Sequence, residues 1–96
     1  MMAKGYVIAH IKVHNKEKIE KFRGMAGPII SEYGGKILVV DPTPDVREGR
    51  ESGIAVVIEF ETIEAARNFY ESEKYTEAKA VREEGSEADL VLAEGV

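Results

Sequence analysis

The sequence predicts one α+β domain built in the order strand, helix, strand, strand, helix, strand. Three observations carry that prediction. A β-branched run alternates over residues 6–13, and apolar residues then recur at helical spacing from Ile19 to Tyr33. Both signals return in residues 54–61 and 65–70, before a last strand-like run near the end.

The first strand splits by period two into a wholly apolar face (Val7, Ala9, Ile11, Val13) and a mixed one (Tyr6, Ile8, His10, Lys12). Asn15 suits a helix N-cap, because its side chain can accept a bond from a free backbone N–H of the first turn. Ile19, Phe22, Ala26, Ile29, Ile30 and Tyr33 form the apolar stripe of the helix that follows. Pro28 removes a donor inside it and predicts a kink near Gly24. Gly34-Gly35 is a strong stop. Residues 36–40 read as the second strand, and 41–53 as a long polar loop bearing Pro42 and Pro44. Residues 54–61 read as the third strand, with Ile54, Val56, Ile58 and Phe60 on one face. Thr62 caps the second helix, whose inner stripe is Ala65, Ala66, Phe69 and Tyr70. Ser72 starts a further helical segment carrying Tyr75, Ala78 and Val81, which Gly85-Ser86 ends. Residues 89–94 make the last strand.

Composition sets limits. The 96 residues are one domain, spanning 1–96, by length. A chain this short buries only about 60–65% of its unfolded surface, so association through an apolar face adds to a thin margin. The net charge of −5 argues against nucleic acid as a partner, which needs a surplus of Lys and Arg on one face. With no cysteine, disulfides and thiolate metal sites are excluded. No apolar run approaches the roughly 20 residues that cross a bilayer. The opening residues lack a signal-peptide pattern, and a cytoplasmic protein is expected.

Right-handed crossovers turn this element order into an antiparallel four-stranded sheet of order 4-1-3-2, with the helices on one face. That is the ferredoxin-like fold. The other face carries Tyr6, Ile8, His10, Ala55, Val57 and Glu59, and no helix remains to cover it. A second copy of the same sheet is the economical cover, so a homodimer packed sheet to sheet is expected. The alternative is a half-exposed sheet on a monomer.

Some residues also resemble a known family. Lys4-Gly5-Tyr6 opens a strand, Tyr33-Gly34-Gly35-Lys36 closes the first helix, and Val57-Ile58-Glu59-Phe60 forms the third strand. Ala65-Ala66, Phe69-Tyr70-Glu71-Ser72, Tyr75, Ala78-Lys79, Arg82 and Val91-Leu92-Ala93-Glu94-Gly95 follow in order. Together they resemble the bacterial family called domain of unknown function 1330, of the dimeric α/β-barrel superfamily. Val40-Asp41-Pro42 departs from the family pattern, where an Arg followed by glycines is expected. The resemblance implies the fold and the dimer, and no particular reaction. Other branches of the superfamily include cofactor-independent monooxygenases, haem-degrading enzymes and lactone isomerases.

Few residues suggest chemistry. His10 and Glu59 lie on neighbouring strands and on the same face, where a carboxylate can fix the tautomer of a general base. The alternative is a His bonded to backbone or dimer partner and a Glu at the barrel rim. His10 and His14 lie about 13 Å apart on a strand rising about 3.3 Å per residue, so no metal site is expected. Tyr33, Phe69, Tyr70 and Tyr75 either line a cleft for a small organic molecule or are ordinary core. Arg82 suits a forked bond to a substrate carboxylate, or a surface pair with a nearby Glu. Arg47 and Arg50 sit in the long loop, either closing over an anion or simply solvated. Gly24-Met25-Ala26-Gly27 has the form of a nucleic-acid clamp but falls inside a helix. The leading expectation is an enzyme without cofactor that moves a proton with His10 and Glu59 on a small organic substrate. The rivals are a non-catalytic binding or interaction module and a haem binder, the last needing an accessible axial His.

Overall fold

The computed structural model describes residues 3–49 and 53–96. Seven elements follow in order: β1 (Gly5–Val13), α1 (Lys16–Glu32), β2 (Lys36–Asp41), β3 (Ile54–Phe60), α2 (Ile63–Glu71), α3 (Glu73–Gly85) and β4 (Ser86–Glu94). The strands form one sheet of order β2-β3-β1-β4, every neighbouring pair antiparallel. This is the expected ferredoxin-like arrangement, with β1 and β3 central.

The helix starts are set by short polar side chains, each of which satisfies a backbone donor the helix cannot. The Lys18 N–H donates to Asn15 Oδ1, and the Ala65 N–H to Thr62 Oγ1. Ser72 serves two helices: its hydroxyl donates to the Phe69 carbonyl at the end of α2 and accepts the Tyr75 N–H at the start of α3. α1 is assigned as one helix over Lys16–Glu32, with Pro28 inside it. Gly34, at φ +77°, turns the chain out of α1 into β2.

The core lies between sheet and helices. Val7, Phe60 and Phe69 are its most enclosed large side chains, joined by Ile58, Ile63, Ala66, Tyr75 and Ala78. Gly5 fixes how closely α2 approaches. A Cβ on Gly5 would strike the Thr62 carbonyl oxygen and the Ile63 backbone, so only glycine lets the start of α2 close on β1.

Two details differ from the sequence reading. β4 begins at Ser86 rather than at 89, because Ser86, Glu87 and Ala88 pair with Val13, Lys12 and Ile11. β2 is irregular: the register slips between Ile37 and Val39, which leaves Leu38 without a place in the alternation.

On the sheet face away from the helices, one row crosses all four strands. Val39 pairs with Val57, Val57 with Ile8, and Ile8 with Val91. The row is flanked by Lys36, Glu59, Tyr6 and Ala93 on one side and by Asp41, Ala55, His10 and Asp89 on the other. Ile8 is 42% exposed and Val91 56%. No described helix lies over this face, so four apolar side chains in a line meet water in the single chain.

Candidate functional site

α1 packs chiefly on α3 and stands off the sheet. Between them lies a cavity of about 480 Å³, within the usual size of small-molecule sites. Its floor is the inner face of the sheet, including Val7, Ala9, Ile11, Val56 and Ile58, with Ile37, Val40 and Pro42 toward the β2 edge. Phe22, Ala26 and Ile30 of α1 form the roof, and Phe69, Tyr75 and Arg82 close one end. The helical stripes and strand faces that build the core therefore also build the hollow.

Arg82 is the unusual member. It is 5% exposed, and it makes no ion pair among the described residues. Its Nη1 donates to the Tyr75 hydroxyl oxygen at 2.7 Å, and its guanidinium carbon lies 5.8 Å from the centre of the Phe22 ring. Its Nε–H is buried with no acceptor. Tyr75, 3% exposed, accepts from Arg82 and passes its own hydroxyl proton to no described group. Arg82 and Tyr75 thus bring a fixed positive charge and a hydroxyl to the lining of an apolar space. Tyr75 and Arg82 are seven residues apart on α3, two turns along one face, with Ala78 buried between them.

Burial raises the Tyr75 hydroxyl above its ordinary 10.0, and the nearby Arg82 charge opposes only part of that rise. An acid whose pKa is raised by folding contributes stability below its unfolded value and loses it as pH climbs through the folded value. Stability is therefore expected to hold up to about pH 10 and then fall as Tyr75 ionises. Absorbance at the tyrosinate band, followed alongside circular dichroism, reads both events. Tyr75 ionising below its ordinary 10.0 would contradict this.

The structure separates the residues that the sequence reading grouped. His10 and Glu59 share the open face, but they do not meet. The register sets Glu59 opposite Tyr6, whose hydroxyl donates to Glu59 Oε2 at 3.0 Å, while His10 is opposite Ala55 and Asp89. Four residues of strand, about 13 Å, lie between the two levels. Neither residue lines the cavity, which is on the other side of the sheet. His10 Nε2 has no partner and is sealed from solvent beneath Gly53, where an added Cβ would come within 2.9 Å of it. An axial haem bond through that nitrogen would need residue 53 to move.

Of the aromatic set, Phe69 and Tyr75 line the cavity; Tyr33 and Tyr70 do not. Tyr33 packs edge-on to Phe69 with centres 6.3 Å apart, and Tyr70 carries Lys79 over its ring at 5.1 Å. Arg82 lines the cavity and is buried rather than paired at the surface. Arg47 is held locally by Asp45 at 3.0 Å, and Arg50 lies outside the described residues. His14 lies 3.5 Å from Glu87. No described helix is long and apolar enough to cross a membrane.

Fold and cavity together define a ferredoxin-like α+β protein with a ligand-sized hollow under its helices. The sequence profile of the family described as Domain of unknown function (DUF1330) matches residues 4–96, and the chain belongs to that family. No functionally curated protein matches. Among solved structures, the chain is similar to the RPA0582 protein of unknown function from Rhodopseudomonas palustris (TM-score 0.82, 13% identity, covering 100% of this chain and 85% of that one). It is also similar to SnoaB, a cofactor-independent oxygenase from Streptomyces nogalater (TM-score 0.67, 13% identity, covering 95% and 91%). A dimeric protein of unknown function with a ferredoxin-like fold from Bacteroides fragilis is similar as well (TM-score 0.56, 14% identity, covering 95% of each). At such identities the likeness is one of fold.

Proposed function

We propose that the protein is a homodimer, joined through the open sheet face, whose two helical-face cavities each bind a small, largely apolar organic molecule. The observation that carries this reading is the cavity of about 480 Å³, apolar over most of its lining and bordered by the buried Arg82 and Tyr75. A hydrophobic hollow with a few convergent polar groups is what a ligand site requires.

Among the readings the sequence leaves open, the lining favours ligand binding. Among the described residues its titratable members are Arg23, Tyr75 and Arg82, with no His, Asp or Glu on the lining. The chemistry its groups can supply is electrostatic, a cation and a hydroxyl donor set against negative charge developing on a ligand oxygen. Likeness to a cofactor-independent oxygenase is compatible with that chemistry. Proton transfer by His10 and Glu59 would have to run on the far side of the sheet, and within one chain the two stand about 13 Å apart.

A thermal-shift screen of small aromatic and branched aliphatic compounds tests the cavity. A ligand at one hundred times its Kd adds about 2.7 kcal/mol of stability, which raises Tm by roughly ten degrees or more in a domain of this size. Val56, on central β3, points into the hollow. Val56→Phe fills part of it with a residue strands accept. The expected result is that the variant stays folded and loses the shift. An undiminished response in Val56→Phe would place the ligand elsewhere.

A further inference from the structure

We infer that the cavity is built for an organic carboxylate, whose charged end is held by Arg82 and Tyr75 and whose apolar body lies along Phe22, Phe69 and the inner sheet face. The inference rests on the cavity reading above and adds the ligand's charge.

A guanidinium taken out of water loses its hydration, a large cost unless a counter-charge and hydrogen bonds replace it. Buried arginines are for that reason nearly always paired with a carboxylate. Arg82 is 5% exposed and has none among the described residues. A neutral hydroxyl at 2.7 Å and the face of Phe22 are its compensation. Its Nε–H has no acceptor at all. Across an Arg, Nε–H and a terminal N–H form the fork that fits the two oxygens of a carboxylate.

Tyr75 adds the third donor. Its oxygen is already used by Arg82, which leaves its proton free for a ligand oxygen. A tyrosine hydroxyl is protonated at neutral pH, and burial only strengthens that state here, so it is a donor. A neutral ligand would leave the guanidinium uncompensated, and a dianion would bring a second charge into a hollow whose remaining lining is almost wholly apolar. The Arg23 side chain, also on the lining, is exposed and lies 3.5 Å from Glu20. A monocarboxylate with a compact hydrocarbon body satisfies every group.

The test compares matched pairs by calorimetry at neutral pH: benzoate with benzamide, and cyclohexanecarboxylate with its amide. In the wild-type protein each acid is expected to bind at least tenfold more tightly than its amide. Arg82→Met, which keeps the length and removes the charge, is expected to abolish that preference, the acids losing at least tenfold and the amides much less. Without ligand it should be no less stable than wild type, since an uncompensated buried charge has been removed. Tyr75→Phe should weaken the acids severalfold and the amides less, since a charged acceptor loses more than a neutral carbonyl. Acids and amides binding alike to the wild type would overturn the carboxylate assignment and leave the cavity reading standing. No binding by any of the four compounds would overturn both.

Discussion

Ile8→Lys is expected to convert the proposed sheet-to-sheet dimer to a monomer of 10.6 kDa that keeps its fold. Ile8 is the centre of the row Val39, Val57, Ile8 and Val91, which runs unbroken across the sheet. A sheet face that is apolar at its middle and polar at its margins has the layout of an interface, and two such faces bury one another about a two-fold axis. By that symmetry one substitution places two ammonium groups in the buried centre. Each costs several kcal/mol to desolvate without a partner, so the dimer weakens by roughly a thousandfold or more. The monomer should survive, because Ile8 is already 42% exposed in the single chain and points away from the core. Val46→Lys is the matched control. Val46 is equally exposed, at 42%, but lies in the loop after β2, off the row, and its substitution should leave the dimer intact. Sedimentation of the three proteins over a range of concentrations reads the result.

Phe69→Ala should cost about 3–5 kcal/mol, a large part of the roughly 5–15 kcal/mol that holds a small domain together. Phe69 is 1% exposed and sits where three rings meet it: Tyr75 at 4.5 Å, Phe60 at 5.2 Å and Tyr33 at 6.3 Å between centres. Truncation removes those contacts and enlarges a hollow already present on one side. Denaturant midpoints at constant slope measure the loss. Phe69→Leu, which keeps most of the volume, should lose much less. A cost under 1 kcal/mol for the alanine variant would show that the aromatic cluster does not hold α2 and α3 to the sheet.

The sequence carries the fold almost entirely. The alternation in β1 and β3, the stripe of α1 and the caps Asn15, Thr62 and Ser72 are local signals, and each element lies where they point. β4 is longer than its apolar run because Ser86, Glu87 and Ala88 are held by pairing with β1, which residue type does not reveal. The site is less legible. Period two tells which face His10 and Glu59 occupy, but their offset depends on strand register, and register is set by loop and crossover geometry. Spacing by seven put Tyr75 and Arg82 on one face of α3, a stripe of buried residues with a charge in it. That signal was available from the letters alone. The hollow beside it was not, because it depends on how far α1 stands from the sheet.

The functional site proposed above lies under the helices rather than on the sheet face. Chemical-shift mapping of the isotope-labelled wild-type protein during titration with benzoate tests it most directly. Shifts are expected to concentrate at Ala26, Gly27, Val56 and Tyr75 and at the Arg82 Nε–H signal, with His10 and Glu59 unmoved. Shifts confined to His10, Glu59 and their strand neighbours, with Arg82 Nε–H unchanged, would contradict it.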